Sequence, residues 1–269
     1  MKTTVIVTTY NRPDALKLVL DGFASQKDLN FDLVVADDGS GNSTRQMLYE
    51  TRNQWPFSIS HVWHEDDGFR AAAIRNKAVK SAVGEYLIFT DGDCVPMPNF
   101  VKNHKRLAES GHFVVGHRIL LSQIYTHRVL AESLQIHRLG FRGLLKQYLH
   151  GNLNKFLPII SYAKGGYLRK MRPYNWQGAM TCNLSLWRQD ILSVNGFEEE
   201  YVGWGLEDSD LVIRLINFGV CRKSGRFATP TLHLWHEEND RSQIKDNQKR
   251  LDFVFEKKST QARRGFYQN

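Results

Sequence analysis

The chain has 269 residues, a formal net charge of +8 and 42% hydrophobic residues. This length is enough for one substantial core, and no apolar run approaches the roughly 20 residues of a membrane span. Met1-Lys2-Thr3 leads almost directly into a predicted strand, which leaves no room for a signal peptide, and the three cysteines lack metal-binding spacing. We therefore expect a cytoplasmic protein with reduced thiols.

The first part of the chain predicts an alternation of buried strands and amphipathic helices. Short apolar runs, typical of buried strands, stand at residues 5–7, 31–36 and 85–90. Helical periodicity begins at Pro13 and again after Arg70. This order predicts an α/β fold with a mixed, mainly parallel sheet and helices on both faces.

The strand at 85–90 runs directly into Asp91-Gly92-Asp93. Residues i and i+2 of an extended segment point the same way, so both carboxylates can face one hard cation or a phosphate bound to it. Open α/β sheets also bind ligands at the carboxyl ends of their strands. The alternative is a polar turn that only ends the strand.

A second acidic cluster opens a helix that we predict over 206–218. Acidic residues in a first turn often do no more than complement the helix dipole. Here, however, Glu207 and Asp208 follow Gly203-Trp204-Gly205, in which a large amphipathic ring suited to stacking on a sugar stands between two permissive glycines. The dipole would also keep Asp208 ionised, as a general base requires.

Five blocks follow one another in a distinctive order between Thr4 and Asn239. They are VIVTTYNRP (5–13), VVADDGS (34–40), DDGFRAAAIRNKAV (66–79), FTDGDC (89–94) and NGFEEEYVGWGLEDSDLVIRL (195–215). Together they resemble the inverting family 2 glycosyltransferases with the GT-A (Rossmann-like) fold. The C-terminal half is similar to the galactosyltransferase and N-acetylgalactosaminyltransferase branch that includes bacterial chondroitin-type polymerases.

The resemblance implies a single GT-A domain. Residues 1–110 would form its nucleotide-sugar half and residues 111–240 its acceptor half, with strands near 112–119 and 179–186. The last part, 241–269, would carry a helix from about Ser242 to Lys257.

A helical insertion at about 120–172 is rich in Lys and Arg. Its leucines recur at helical intervals, at Leu130, Leu134, Leu145, Leu149 and Leu153. This pattern predicts a basic amphipathic helix or helix pair, which either lies on an anionic membrane surface or covers the acceptor side of the core.

The resemblance also implies a donor site. The residues implied in nucleotide-sugar binding are Thr9, Asn11, Arg12, Asp38, Asp67, Arg70, Arg75 and Asp91. Asp38 would accept the imide hydrogen of uracil, and the arginines would bind phosphate, although Arg75 could equally be a surface charge. Weaker candidates for the wall around the donor sugar are Gln177, Gly178 and Ala179.

The metal ligands implied are Asp93 and His236, with His233 as second choice, and the cation would be Mn²⁺ or Mg²⁺. Residues i and i+3 of a regular strand face opposite ways, so both histidines can reach one metal only if the chain turns there. His61 and His64 have the same spacing, but they lie in a predicted strand and we assign no role to them.

The implied reaction is inverting transfer from a UDP-sugar of Gal/GalNAc or Glc/GlcNAc type to a hydroxyl of a glycan or lipid-linked glycan acceptor. Asp208 would be the catalytic base, Glu207 would bind an acceptor hydroxyl, and Trp204 would stack beneath a sugar ring. Close relatives often have glycine where this chain has Leu206.

We expect a role in bacterial surface polysaccharide or lipopolysaccharide synthesis, at the inner face of the membrane or free in the cytoplasm. The alternatives are a nucleotidyltransferase, for which a glycine-rich phosphate loop is missing, and a basic nucleic-acid-binding protein. No recognised nucleic-acid-reading motif is present, so we expect no nucleic-acid partner.

Overall fold

The computed structural model describes residues 1–156, 166–238 and 240–267. The strands are β1 (Thr3–Thr9), β2 (Asp32–Asp37), β3 (Ile59–Trp63), β4 (Tyr86–Asp91), β5 (Cys94–Pro96), β6 (His112–Val115), β7 (His117–Leu120), β8 (Asn183–Trp187), β9 (Cys221–Ser224) and β10 (Pro230–His233). The helices are α1 (Pro13–Ala24), α2 (Asn42–Thr51), α3 (Ala71–Ser81), α4 (Phe100–Leu107), α5 (Gln123–Ala131), α6 (Phe141–Leu149), α7 (Arg188–Ser193), α8 (Glu207–Asn217) and α9 (Ile244–Lys257).

Seven of these strands form one sheet in the order β3-β2-β1-β4-β8-β6-β9. The first four strands of that order are parallel, β8 is antiparallel to both of its neighbours, and β6 and β9 are parallel. The predicted mixed, mainly parallel sheet is therefore confirmed. A smaller sheet, β5-β10-β7, was not predicted.

Helices cover both faces of the large sheet. Alternation along β1 sends Val5 and Val7 into one apolar cluster and Ile6 into the other. Helix α1, which begins at Pro13 because its fixed φ suits a first turn, packs in the former cluster, and α3 and α8 pack in the latter. Each fully buried large aliphatic or aromatic side chain contributes about 1.5–3 kcal/mol, so these two clusters hold the strand ends in place.

Several predicted boundaries in the second half of the chain were wrong. The strand expected from residue 179 begins at Asn183, and the strand expected at 112–119 is interrupted at Gly116. A Cβ atom at Gly116 would lie 2.0 Å from Oδ1 of Asn183, so only glycine fits there. The C-terminal helix begins at Ile244 rather than at Ser242.

The helical insertion contains α5 and α6, and its residues 157–165 lie outside the described residues. The leucine pattern was partly wrong, because Leu149 is 73% exposed while Leu144, outside the predicted series, is buried. Within the described ranges, no helix combines the length and the apolar character that crossing a bilayer would need.

Candidate active site

The candidate site lies where strands of the large sheet end. Asp38 follows β2, Asp91 ends β4, and Asp93 stands between β4 and β5. The loop after β2 passes very close to the loop after β3, since a Cβ atom at Gly39 would lie 2.6 Å from Cα of Asp66. Gly39 also has a φ of 97°, which favours glycine.

Arg75 joins the two halves of the chain at this site. Its Nη1 atom lies 2.9 Å from Oε1 of Glu207 and 3.4 Å from Oδ1 of Asp208, and its Nη2 atom lies 3.6 Å from Oδ1 of Asp91. Its Nε–H donates to Oγ1 of Thr8 over 3.2 Å. Arg75 is only 5% exposed, so the surface-charge alternative was wrong.

Thr181 orients Asp208 at the start of α8 through two donors, its backbone N–H and its hydroxyl. The backbone N–H of Thr181 donates to Oδ2 over 3.0 Å, and the Thr181 hydroxyl donates to Oδ1 over 2.8 Å. No local sequence pattern points to Thr181, because its contact with Asp208 depends on how the loop before β8 packs.

Glu207 is buried against Arg75. It is 6% exposed, and its pKa is raised to about 7. Burial is the largest cause and the negative charge of Asp208 adds to it, whereas Arg75 lowers the pKa. A side chain in this position has little surface to offer an acceptor hydroxyl. The geometry favours a role for Glu207 in holding Arg75, and its contact with an acceptor hydroxyl stays a prediction.

Asp93 and both predicted histidines meet at one point. Nε2 of His233 lies 3.6 Å from Oδ1 of Asp93, and Nε2 of His236 lies 3.7 Å from Oδ2. Strand β10 ends at His233, and the chain beyond it brings the two imidazole rings to a centroid separation of 5.2 Å. Arg12 also reaches this carboxylate, with Nη1 3.4 Å from Oδ2 of Asp93.

Asp93 and His233, together with Cys94, bring ligand atoms within 4.8 Å of one another, close enough to hold one metal ion. Oδ1 of Asp91 and Oδ1 of Asp93 are buried and make no hydrogen bond to any described residue. Burial lowers the pKa of His233 to about 4, which leaves the imidazole neutral and able to act as a ligand. A mixed set of carboxylate oxygen and imidazole nitrogen suits Mn²⁺ better than Ca²⁺.

The predicted nucleotide-binding residues are spread over adjoining loops. Thr9 lies in β1, where its carbonyl accepts the Asp38 N–H over 3.0 Å. Asn11, with a φ of 48°, accepts the Gly41 N–H at its Oδ1 over 2.9 Å and so ties the loop after β1 to the loop after β2. Asp67 is separate from this group, because its side chain is 80% exposed and pairs only with Arg70 among the described residues.

Asp38 is hydrogen-bonded to His64, a residue with no role predicted from the sequence. Nε2 of His64 lies 2.6 Å from Oδ1 of Asp38, and the Arg70 N–H donates to Oδ2 over 2.9 Å. A parallel contact joins His61 to Asp37 over 2.9 Å. His61 in β3 and His64 just after β3 therefore each contact one of the two aspartates at the end of β2.

Trp204 is partly covered by a cation. The guanidinium carbon of Arg241 lies 4.8 Å from the centroid of its ring. Of the weaker candidates near this region, Gln177 and Gly178 are exposed and Ala179 is buried. The distance between Arg241 and Trp204 in sequence explains why no local pattern predicted their contact.

Leu206 precedes α8 in a left-handed conformation. Its φ is 79°, a value that costs an L-residue roughly 1–2 kcal/mol. The two glycines of Gly203-Trp204-Gly205 also have positive φ, at 73° and 105°. These three positive φ angles position Glu207 and Asp208 next to Arg75.

Comparison with protein families agrees with this arrangement. The model for glycosyl transferase family 2 matches residues 4–175, and the model described as the N-terminal domain of galactosyltransferase matches residues 168–234. The resemblance proposed from the sequence is thereby confirmed.

Characterised relatives include two bacterial enzymes. Validoxylamine A glucosyltransferase of Streptomyces hygroscopicus subsp. jinggangensis is 30% identical over 227 residues, which cover 81% of this chain and 52% of that protein. Chondroitin synthase of Escherichia coli is 23% identical over 225 residues, covering 80% of this chain and 32% of that protein. The chain thus spans about half the length, or less, of these relatives.

Solved structures share the fold. The mannosyltransferase PcManGT from Pyrobaculum calidifontis, in complex with GDP-Man and Mn²⁺, has a TM-score of 0.61 at 18% identity, over 88% of this chain and 58% of that one. Staphylococcus aureus TarS 1–349 in complex with UDP-GlcNAc has a TM-score of 0.61 at 16% identity, over 94% of this chain and 66% of that one. Together with the family model, which spans more than half of the sequence, the comparisons show that the chain belongs to glycosyltransferase family 2 and has the GT-A fold.

Proposed function

We propose that this chain is a metal-dependent, inverting hexosyltransferase that moves a sugar from a UDP-sugar to a hydroxyl of a glycan acceptor. The observation that carries the proposal is the ion-pair cluster of Arg75 with Asp91, Glu207 and Asp208. In this cluster Arg75 contacts Glu207 and Asp208 from the acceptor half and also Asp91 at the end of β4. This closeness supports a base that acts beside the donor-binding residues.

The donor is proposed to bind across the ends of β1, β2 and β4. Asp38 would accept the imide hydrogen of uracil, and the guanidinium groups of Arg12 and Arg75 suit phosphate oxygens because they donate in a fork. The UDP-GlcNAc named for TarS supports a UDP-sugar. The sugar is proposed to be a hexose of Gal/GalNAc or Glc/GlcNAc type, which the name glucosyltransferase of one relative and the description galactosyltransferase of the second family model support.

Asp93 and His236, with His233 beside them, would hold Mn²⁺ or Mg²⁺. When bound, such a cation neutralises negative charge on the leaving diphosphate. Two buried carboxylate oxygens, Oδ1 of Asp91 and Oδ1 of Asp93, support this assignment, because neither accepts a hydrogen bond from the described part of the chain. The Mn²⁺ named for PcManGT agrees with it.

Asp208 is proposed to accept the proton of the acceptor hydroxyl. As that oxygen forms a bond to the anomeric carbon, the bond between this carbon and the diphosphate oxygen breaks, and the configuration inverts. The two hydrogen bonds from Thr181 hold the carboxylate in one orientation. Glu207 would act through Arg75, whose position it fixes.

The acceptor is proposed to be a glycan or a lipid-linked glycan of bacterial surface polysaccharide or lipopolysaccharide synthesis. On α6, Phe141 and Leu149 are exposed, and Arg142 and Lys146 are exposed beside them. Exposed apolar and basic side chains on one short helix suit an anionic membrane surface, so peripheral attachment at the inner face of the membrane belongs to this proposal.

The test is a screen of UDP-hexoses with Mn²⁺, in which UDP release and protection against thermal unfolding are both measured. We expect UDP and at least one UDP-hexose to raise the melting temperature, and one UDP-hexose to be hydrolysed slowly without acceptor. Release of pyrophosphate from UTP and a sugar phosphate, with no UDP release from any UDP-hexose, would instead identify a nucleotidyltransferase.

A further inference from the structure

Between the neighbouring strands β2 and β3, two aspartates each contact a histidine. Strands β2 and β3 are parallel, and Asp37 stands opposite Trp63 in their register. The next residue of each strand end, Asp38 and His64, must then lie side by side. Their contact of 2.6 Å is short, and the two side chains are only 4% and 6% exposed.

The charge on Asp38 depends on few donors. Burial raises the pKa of Asp38, whereas the Arg70 N–H and the His64 ring lower it by hydrogen bonding, and Arg75 lowers it through its charge. Tyr10 also faces this carboxylate, but its hydroxyl donates to Asp66. His64 is the side chain that hydrogen-bonds directly to Asp38 among the described residues.

The state of this carboxylate matters for base recognition. Uracil carries a hydrogen on N3, which an ionised carboxylate can accept, whereas N3 of cytosine carries a lone pair that the same carboxylate repels. A protonated carboxyl group, in contrast, could donate to N3 of cytosine. An oriented, ionised Asp38 would therefore distinguish the two pyrimidines.

We infer that His64 is a positioning residue that holds Asp38 as an oriented carboxylate and so sets the preference for a uracil nucleotide over a cytosine nucleotide. The inference rests on the proposed function, in which Asp38 contacts the base. His64 itself touches Asp38 and does not need to touch the ligand. This inference assigns a role in base specificity to His64, whose role could not be predicted from the sequence alone.

The experiment compares the affinities of UDP and CDP, each with Mn²⁺, for the parental protein and its variants. His64→Ala should weaken UDP binding about 10- to 100-fold, the range expected when the hydrogen bond between uracil and the charged Asp38 carboxylate is lost because Asp38 is no longer held in place. CDP binding should change less, so the ratio of the two affinities should fall. His64→Gln, whose amide can donate in place of the ring, should restore part of the ratio.

His61→Gln is the matched control. It changes the equivalent ring three residues earlier, which contacts Asp37 over 2.9 Å and not Asp38. We expect its ratio of UDP to CDP affinity to equal that of the parental protein. The ratio for His64→Ala should also fall further as the pH is lowered, because Asp38 without its donor takes up a proton more readily.

The outcomes separate this inference from the proposed function. If the parental protein does not bind UDP, or if Asp38→Asn leaves UDP affinity unchanged, the proposed role of Asp38 is wrong. If UDP binds and Asp38→Asn weakens it, while both His64 variants keep the parental ratio, the inference about His64 is overturned. Melting temperatures of all variants show that the comparison is made between folded proteins.

Discussion

Replacing Arg75 with methionine removes a guanidinium group that contacts three carboxylates. Methionine keeps much of the apolar volume but leaves Glu207, Asp208 and Asp91 without their shared guanidinium. We expect Arg75→Met to lower the free energy of unfolding by about 3–5 kcal/mol, the usual cost of removing one partner from a buried ion pair. For a chain of this size the melting temperature should fall on the order of 10 °C.

The pKa of Glu207 explains the size of this effect. Its value of about 7, against an ordinary 4.5, means that keeping the carboxylate charged costs roughly 3 kcal/mol even beside Arg75. Because the folded pKa is raised, the folded protein binds this proton more tightly than the unfolded chain, and stability falls as the pH rises from 4.5 to about 7. Without Arg75 the pKa rises further.

The pH dependence therefore provides the assay. Urea unfolding of the parental protein and of Arg75→Met should differ most above about pH 8, where Glu207 and Asp91 are charged, and least near pH 5, where protons on these two carboxyl groups replace the missing cation. Arg70→Met is the control, since Arg70 pairs with an exposed carboxylate. Loss of that surface pair should cost less than about 1 kcal/mol at either pH.

Two results would refute this reasoning. A stability for Arg75→Met within 1 kcal/mol of the parental value would show that the cluster is not held together by this guanidinium. A deficit that is equal at both pH values would show that the carboxylates do not carry the cost.

Three further predictions concern the proposed function. Asp208→Asn keeps the shape of the side chain but removes its basicity, so the transfer rate should fall by roughly two to four decades with UDP affinity nearly intact; transfer at the parental rate would exclude Asp208 as the base. Chelation should abolish transfer and weaken UDP binding until Mn²⁺ is restored, and His236→Ala should raise the Mn²⁺ concentration needed for half-maximal activity, whereas an unchanged Mn²⁺ requirement would remove His236 from the metal site. Replacing the exposed Arg138, Arg142 and Lys146 with glutamine should lower sedimentation with anionic liposomes, because each basic residue contributes about 1 kcal/mol near such a surface. Activity on a soluble acceptor should stay unchanged. Failure of the parental protein to sediment with anionic liposomes at low salt would contradict the membrane proposal.

The parallel part of the large sheet could be predicted because its signals are local. Apolar runs of strand length lead into Asp37 and Asp91, and Pro13 begins the helix between β1 and β2. The small sheet could not, because its ladder joins Cys94 to His233 across most of the chain. No local periodicity encodes a pairing between strands of three or four residues so far apart.

The candidate site divides in the same way. The carboxylates and Arg75 stand in recognisable blocks, but the donors that orient Asp208 come from Thr181, in a loop without a pattern. The partnership of His64 with Asp38 depends on register. Aligning the ends of the two predicted strands would have placed these residues next to each other, so this contact was within reach of the sequence.

The left-handed conformation of Leu206 has a consequence for how this site can diverge. Exchange for glycine would relieve roughly 1–2 kcal/mol of backbone strain, while the more flexible unfolded chain would cost about 0.4–1 kcal/mol. Because these terms oppose each other, a side chain two residues before the proposed base can be lost or regained with little penalty to folding. Under the proposed function, exchange between leucine and glycine at this position would alter the surroundings of the reacting sugar, and selection for a new donor preference could act on it.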